Sequence, residues 1–391
     1  MTDPRESKTK HLRRRARAIA LSALLLASLP LVTAAPIATA TEPAARAEIR
    51  GDLAALVAGT ATQDPRLQQL IAGLKASELA YFVVLDVKND TTRAAAIKAL
   101  GARVVRTYRT INAFEVVSTP VTVLRIADLS WVDWLAPVEV VHALADPVPD
   151  QSRGKTADVG APPVWAQGIT GKGIRIAILD TGVDSLHPDL DDLDFRNWTG
   201  LLPNPPKVVD SRNFNGGGCA PIVGDGHGHG THVAAIAAGT GEGGPTTDDD
   251  GKYLGIAPDA QLVVGKVLTD AGIGNNADLV AALEWAALPA DPSPTGCGAG
   301  ADVVNMSLGS DARPVRLNSG RDGDLVSLTL DRLAIAYGTV FVASMGNSGP
   351  YIGSALEAPG SAYHAIAVGA SAKDWDLNHD NTLSGLSLIH I

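Results

Sequence analysis

Short apolar runs alternate with helical stretches from residue 171 onward, and this alternation limits the folds that are open to the chain. The runs are continuously apolar, which is typical of strands that are buried on both faces. The runs predicted as strands are residues 174–179, 262–268, 303–307, 340–343 and 365–368, and the predicted helices are residues 231–238, 278–287 and 325–337. We therefore predict an α/β fold in which helices cover both faces of a parallel sheet.

The segment before this region has a different order of elements. The predicted elements are strand 81–86, helix 91–100, strands 102–108 and 113–118, helix 121–129 and a β-rich segment over 132–144. This β-α-β-β-α-β order predicts a small ferredoxin-like α+β module over residues 81–145. Residues 146–163 are rich in Pro, Asp and Gly and are predicted to be a linker.

The first 40 residues have the three parts of a secretory signal peptide. Residues 8–17 are strongly basic, residues 18–32 are almost wholly apolar, and Ala38-Thr39-Ala40 fits a cleavage site. The apolar run is too short for a stable membrane anchor, and a buried helix would not explain the basic cluster. We predict secretion, no membrane contact after signal cleavage, and a connector over residues 41–80.

Charge and cysteine content exclude three further classes of protein. The net charge is −10, and the residues after 47 carry 24 basic against 39 acidic side chains. A nucleic-acid-binding domain usually has the opposite balance, so no nucleic-acid partner is expected. Two cysteines exclude a disulfide-dense scaffold and a four-cysteine zinc module. In an oxidising compartment Cys219 and Cys297 could pair, with two unpaired buried thiols as the alternative.

Three polar blocks coincide with predicted strand ends or a helix start. Asp180 follows the strand 174–179, and Asn347 follows the strand 340–343 in Ala-Ser-Met-Gly-Asn. Between them, Asp225-Gly-His-Gly-His-Gly-Thr-His232 places glycines and three histidines ahead of a helix. Ligand sites in open α/β sheets lie at the carboxyl ends of strands. Histidine titrates near neutral pH, and an Asn amide at such an end can donate to a developing oxyanion.

Together, these blocks resemble those of the subtilisin-like serine proteases. The resemblance covers about residues 160–385, and the order Asp then His is that of subtilisins rather than of chymotrypsin or the α/β-hydrolases. The matching blocks are the aspartate block (180–190), the histidine block (228–234), the oxyanion block (343–347), two substrate-binding segments (270–274 and 304–309) and a cis-proline turn at Pro359. A peptidase domain is therefore expected over residues 164–385.

The resemblance implies an Asp-His-Ser triad. His229 would be the general base, and Asp180 would fix its tautomer and stabilise the imidazolium. Asn347 would donate to the tetrahedral oxyanion, and His232 would be structural. No cofactor is expected for the chemistry. A structural calcium ion is expected at Asp189, whereas the acidic residues 248–250 fit either calcium or a solvated run of charge.

The resemblance also implies which partners the chain binds. We expect the protein to be a monomer. A polypeptide substrate would pair as a strand with two wall segments. The implied substrate contacts are Gly272, Ile273 and Gly274 in one wall, Ser307, Leu308 and Gly309 in the other, and Ser344 and Gly346. The module over 81–145 would be a propeptide that inhibits the enzyme intramolecularly, as in a zymogen. Its processing site would lie in residues 146–163.

One block of the family is missing from the sequence. The nucleophile of these proteases lies in Gly-Thr-Ser-Met-Ala at the start of a later helix, and no such block occurs in the 391 residues. Residues 386–391 can be read from CTGTCTCTTATACACATC, the end sequence of a transposon used to build sequencing libraries. We therefore interpret the peptidase domain as truncated and the last six residues as an adapter-derived tail, so that this chain would lack peptidase activity.

Three other functions compete with this interpretation. Asp225, His227, His229 and His232 could form a zinc cluster, but glycines interrupt the segment and no HExxH pattern occurs. A lipase or esterase would need Gly-x-Ser-x-Gly ahead of its acid and histidine, and that pentapeptide is absent. A non-catalytic chain that only binds peptide, or that fails to fold, stays open because of the missing serine block.

Overall fold

A computed structural model describes ten segments of the chain, all within one compact unit that spans residues Arg46–Ile391. The described residues are 48–49, 78–143, 159–191, 206–216, 219–221, 224–242, 253–291, 297–310, 324–346 and 358–369. Several predicted features lie outside them. These are the signal peptide, the acidic residues 248–250, Asn347 and the tail over residues 386–391.

The N-terminal part of the described chain is an α+β module. Its elements are β1 (Glu48–Ile49), β2 (Leu79–Leu85), α1 (Thr91–Ala99), β3 (Arg103–Tyr108), β4 (Ala113–Ser118), α2 (Pro120–Ala127) and β5 (Val132–Pro137), and β6 (Val140–Ala143) follows them. The sheet order is β1-β5-β2-β4-β3, so the predicted β-α-β-β-α-β sequence of elements is confirmed. The short strand β1 comes from the predicted connector and pairs in parallel with β5.

The β character predicted over residues 132–144 is confirmed, and the structure divides this segment into two strands, β5 and β6. β5 ends at Pro137, which has no backbone N–H to continue a strand ladder. β6 then enters a different, three-stranded sheet. The segment therefore leaves the module and contacts the second half of the chain.

The second half contains the predicted parallel sheet. Its elements are α3 (Ala161–Trp165), β7 (Arg175–Asp180), β8 (Val208–Asn213), β9 (Ala220–Pro221), α4 (His229–Ala238), β10 (Gln261–Lys266), β11 (Ile273–Asn275), α5 (Asn276–Ala287), β12 (Val303–Met306), β13 (Leu308–Ser310), α6 (Leu325–Tyr337), β14 (Val340–Ser344) and β15 (Ala365–Val368). The central sheet has the order β15-β14-β12-β7-β10-β8-β9, and only β9 is antiparallel to its neighbour.

Helices cover both faces of this sheet, as predicted. Successive side chains of a strand point to opposite faces. In β7, Ile176 and Ile178 pack in an apolar cluster with residues of α4. The intervening residues, Ala177 and Leu179, pack in a second cluster with residues of α5 and α6. Because both faces of β7 are buried, its sequence has no polar alternation.

Two further expectations agree with the structure. Cys219 and Cys297 form a disulfide, so the paired alternative holds. The peptide bond between Ala358 and Pro359 is cis, in the turn that resembles the cis-proline turn. Among the described residues, no helix has both the length and the apolar character that crossing a bilayer requires.

Candidate active site

Asp180 and His229 form a buried hydrogen-bonded pair. The Nδ1 atom of His229 lies 2.6 Å from Oδ1 of Asp180, and both side chains are almost fully buried. The backbone N–H of Thr181 donates to the same carboxylate oxygen at 2.7 Å. Nε2 of His229 is buried and has no hydrogen-bond partner among the described residues. The imidazole is therefore oriented through one nitrogen, while the other is available to a reacting group.

The local sequence explains how the two side chains meet across 49 positions of the chain. Asp180 is the last residue of β7, and His229 is the first residue of α4, two positions earlier than the predicted start of that helix. A Cβ atom at Gly230 would lie 2.1 Å from the carbonyl oxygen of Gly182. Glycine at position 230 therefore allows the first turn of α4 to lie against the end of β7.

Asp225 ties the loop before α4 to the same strand end. Its Oδ1 accepts hydrogen bonds from Thr181 Oγ1 at 2.9 Å and from the backbone N–H groups of His227 and Gly228. Its Oδ2 accepts from the N–H and Oγ1 of Thr231 at 2.9 and 2.7 Å. Burial raises the pKa of Asp225, but these hydrogen bonds lower it more, so the net pKa lies below its ordinary value. Asp225 is therefore a charged clamp between the loop, β7 and α4.

The pKa of His229 is raised above its ordinary value of 6.5. Burial alone would lower this pKa, because it disfavours the charged imidazolium. The hydrogen bond and charge of Asp180, together with the charge of Asp225, raise it more. The site therefore stabilises the protonated state that a general base reaches after it has accepted a proton.

The strand β6 lies between β11 and β13 in an antiparallel sheet. His142 is opposite Ile273 on one side and Gly309 on the other, and Val141 is opposite Gly274 and Ser310. The side chain of Val141 is 2% exposed and belongs to the main apolar cluster. The two predicted wall segments thus pair with β6 on either side, and we call the space between them, which β6 fills, the cleft.

The end of β6 lies close to His227 and His229. The N–H of Ala143 donates to the carbonyl oxygen of Gly272 at 2.9 Å. Gly272 has a φ of +73°, and a Cβ atom there would lie 3.0 Å from Nε2 of His227 and 3.6 Å from Cβ of Ala143. The rings of His227 and His229 are 6.1 Å apart and meet edge to face. The occupied cleft and the Asp180–His229 pair therefore belong to one site.

The remaining predicted residues lie at the same edge of the sheet. Ser307 follows β12 and is buried, and its Oγ accepts from the side-chain amide of Asn305 at 3.2 Å. Ser344 ends β14, and its Oγ donates to the carbonyl oxygen of Leu308 at 3.0 Å. Gly346 follows β14 with a φ of +101°. Asn347 lies outside the described residues, so its oxyanion role stays a prediction.

The described residues do not assemble a metal site. They contain no group of three or more His, Cys, Asp or Glu side chains that could hold a metal ion, which argues against the zinc cluster. Asp189 is buried, and its carbonyl oxygen accepts from the N–H of Thr240 at 3.0 Å. The acidic residues 248–250, the other predicted calcium ligands, lie outside the described residues. Calcium at Asp189 stays a prediction.

The structural roles of Thr181, Asp225 and His227 were not predicted from the sequence, in which Asp225 and His227 were interpreted only as possible metal ligands. The Asp-Gly-His-Gly run could have predicted the role of Asp225. An acidic residue that precedes glycines and a helix is well placed to accept hydrogen bonds from several backbone N–H groups.

Comparison with known proteins covers this region of the chain. Residues 171–387 match the sequence model of the Subtilase family, Peptidase S8. The minor extracellular protease Vpr of Bacillus subtilis strain 168 is 34% identical over 230 residues, which are 58% of this chain and 24% of Vpr. Subtilisin E of the same strain is 27% identical over 304 residues, which are 76% of this chain and 67% of subtilisin E. Subtilisin Savinase of Lederbergia lenta is 33% identical over 213 residues, covering 54% and 61%. The matches thus span between about a quarter and two thirds of these relatives.

Proposed function

The chain belongs to the subtilase family, and on that premise we propose that it is a serine endopeptidase of the Asp-His-Ser type, made as a self-inhibited zymogen. The observation that carries the proposal is the buried Asp180–His229 hydrogen bond beside a cleft that is built for an extended peptide. Neither feature is needed for a fold of this class, whereas a serine peptidase of this type uses both.

The proposed mechanism gives a step to each member of the pair. Nε2 of His229 accepts the proton of a serine hydroxyl as that oxygen attacks the scissile carbonyl, and later returns the proton to the leaving amine. Asp180 holds Nδ1–H and stabilises the imidazolium between the two transfers. The walls β11 and β13 hold the substrate backbone by strand pairing, which fixes the scissile bond relative to the imidazole.

The zymogen part of the proposal rests on β6. This strand takes the place that a substrate strand would take, and the module before it is anchored to α5 by other contacts. The N–H of Asn276 donates to the carbonyl oxygen of Glu139, and the N–H of Glu139 donates to Oδ1 of Asn276, both at 2.9 Å. Cleavage in residues 146–163 would then separate the inhibitory module from the peptidase domain.

The nucleophile is not assigned to any serine of this sequence. Because no Gly-Thr-Ser-Met-Ala block occurs in the 391 residues, we propose that the reading frame of the gene continues to such a block and that the 391-residue chain does not hydrolyse peptides. A non-catalytic, peptide-binding chain is the second candidate, and this missing block is the observation that favours it.

We propose that the protein is secreted. The basic, apolar and small-residue parts of residues 1–40 support it. The similarity to a protease that is named as extracellular also supports it.

The test is hydrolysis of casein by the protein from the completed reading frame. We expect activity in the unmodified protein and a loss of about 10⁴-fold or more in kcat after His229→Ala, because the residual rate comes only from binding and oxyanion stabilisation. Lys172→Ala, an exposed change outside the site, is the matched control and should keep full activity. Activity that survives His229→Ala would overturn the assignment, and an inactive completed protein would favour the non-catalytic candidate.

A further inference from the structure

A buried charged contact joins the N-terminal module to α5 outside the cleft. The guanidinium of Arg106, on β3, donates from Nη1 to the carbonyl oxygen of Ala277 at 2.9 Å. Its Nη2 donates to Oδ1 of Asp278 at 2.5 Å and contacts the carbonyl oxygen of Phe214 at 3.4 Å. We call the three acceptors, Ala277 O, Asp278 Oδ1 and Phe214 O, the Arg106 socket.

The socket is largely buried, and side chains of the N-terminal module hold its arginine in place. The side chains of Arg106 and Asp278 are 13% and 5% exposed. Glu115, which lies opposite Arg106 on β4, places Oε2 3.6 Å from Nε of the guanidinium. The hydroxyl of Tyr108 lies 3.1 Å from both Oε2 of Glu115 and the carbonyl oxygen of Ala277. The arginine is therefore pre-oriented before it meets the socket.

Asp278 links the socket to the wall of the cleft. Its Oδ1 accepts from Arg106, and its Oδ2 accepts from the side-chain amide of Asn275 at 2.8 Å. Asn275 is the last residue of β11 and lies opposite Val140, the first residue of β6. One carboxylate thus connects a module side chain to the strand that holds β6 in the cleft.

We propose that the Arg106 socket is an exosite that recognises an arginine of the inhibitory module and sets how tightly β6 stays in the cleft. The partner chemistry that fits it is a guanidinium paired with a carboxylate on an antiparallel sheet, which residues 103–118 of this chain supply. This inference rests on the proposed function in one respect, namely that β6 is the segment that blocks the cleft.

Burial distinguishes this pair from the exposed ion pairs of the module, Arg93–Asp90 and Arg103–Glu78. Removing one partner of a buried pair leaves an uncompensated charge in a dry site, which is strongly unfavourable. An exposed pair contributes little, because water and salt screen it. The planar fork of arginine also reaches three oxygen acceptors at once, and the ammonium group of lysine does not match that geometry.

The test measures hydrogen exchange in the full 391-residue chain. The variants are Arg106→Met, Asp278→Asn and the double variant. Asp278→Asn keeps an acceptor at Oδ1, removes the charge, and replaces the Oδ2 acceptor of the Asn275 amide by an NH2 donor. In each single variant we expect the Ala143 amide to exchange about 100-fold faster, because β6 leaves the cleft when the module undocks. The double variant should exchange no faster than the quicker single variant, since both remove one interaction.

Two controls separate recognition from general destabilisation. Arg103→Met changes an exposed arginine of the same strand, whose pair with Glu78 at 3.5 Å is 63% and 62% exposed, and should change Ala143 exchange less than about fivefold. Arg106→Lys keeps the charge and should give an intermediate rate. The amides that pair β2 with β4 should keep their protection in every variant, because those strands lie inside the module.

The outcomes are distinguishable. Unchanged Ala143 exchange in Asp278→Asn and Arg106→Lys, or equal loss of protection in the β2–β4 amides, would overturn the exosite. If instead Ala143 exchanges in the unmodified chain as fast as in a free peptide, the blocked cleft of the proposed function fails before the socket is tested.

Discussion

At the scale of single residues, the site depends on a glycine that allows a close backbone approach and on a carboxylate that accepts several hydrogen bonds. Gly230 brings the start of α4 against the end of β7, and Asp225 collects backbone and hydroxyl donors from both sides of that junction. The sequence blocks predicted Asp180 and His229, because they are recognisable as a pattern. They did not predict the clamp at Asp225, because its partner Thr181 is 44 positions away in the chain.

Gly230→Ala should separate Asp180 from His229. The new Cβ would lie 2.1 Å from the carbonyl oxygen of Gly182 and 3.2 Å from Oδ1 of Asp180, so the first turn of α4 must move. We expect the pKa of His229, measured by NMR titration of its ring, to fall. Gly338→Ala, at the end of α6, has φ of +72° and open space around the new Cβ, and serves as the control for strain alone. An unchanged pKa in Gly230→Ala would contradict this account of the junction.

Asp180→Asn and Asp225→Asn should both lower the pKa of His229, and Asp180→Asn should lower it more, because Asp180 supplies a hydrogen bond as well as charge. The folded-state pKa lies above the unfolded value of about 6.5. The interaction therefore stabilises the fold fully below about pH 6.5, and this contribution is lost as the pH rises through the folded-state pKa.

The free energy of unfolding, measured from pH 5 to pH 9, checks that sign. The difference between the unmodified chain and Asp180→Asn should shrink toward alkaline pH. A difference that instead grows with pH would show that the pair favours the neutral imidazole.

At the scale of elements, five strands of the central sheet were predicted within about two residues, namely β7, β10, β12, β14 and β15, and β6 lies inside the predicted β-rich segment 132–144. A strand buried on both faces is continuously apolar and so carries its own signal. The strands β8, β9, β11 and β13 were not predicted, because they are short or contain polar residues. β11 and β13 form by pairing with β6, which is distant in sequence, and no local pattern records such pairing.

Val141→Asp should release β6 from the cleft. Val141 is 2% exposed and packs in the main apolar cluster, so a carboxylate there would be buried without a partner. The neighbouring Val140 is 48% exposed, and Val140→Asp is the matched control. We expect exchange at the Ala143 amide to rise by about 100-fold or more in Val141→Asp and by only a few-fold in Val140→Asp. Equal rates in the two variants would mean that β6 is not held by the Val141 pocket.

At the scale of the whole molecule, the N-terminal module and the α/β sheet region contact each other in the way that the proposed zymogen requires. The α/β sheet supplies the Asp180–His229 pair at its carboxyl edge, and the preceding module sends β6 into the cleft beside that pair. The sequence predicted the order of these parts. It did not predict the contacts between them, such as Arg106 with Asp278, because those contacts depend on how two separately folded surfaces meet.

The arrangement also predicts the order in which the proposed enzyme cuts its substrates. While β6 occupies the cleft, the proposed enzyme should cut its own chain before it cuts any other protein. A completed protein should therefore show a lag before casein hydrolysis, and the lag should shorten in Arg106→Met, because the module undocks more readily. An unchanged lag would show that docking of the module does not control the start of peptidase activity.

The most direct measurement is the intact mass of the completed protein as a function of time, with and without His229→Ala. The account predicts a single early cleavage within residues 146–163 in the unmodified protein and an uncut chain in the variant. The same cleavage in both proteins, or an early cut inside the module, would contradict it.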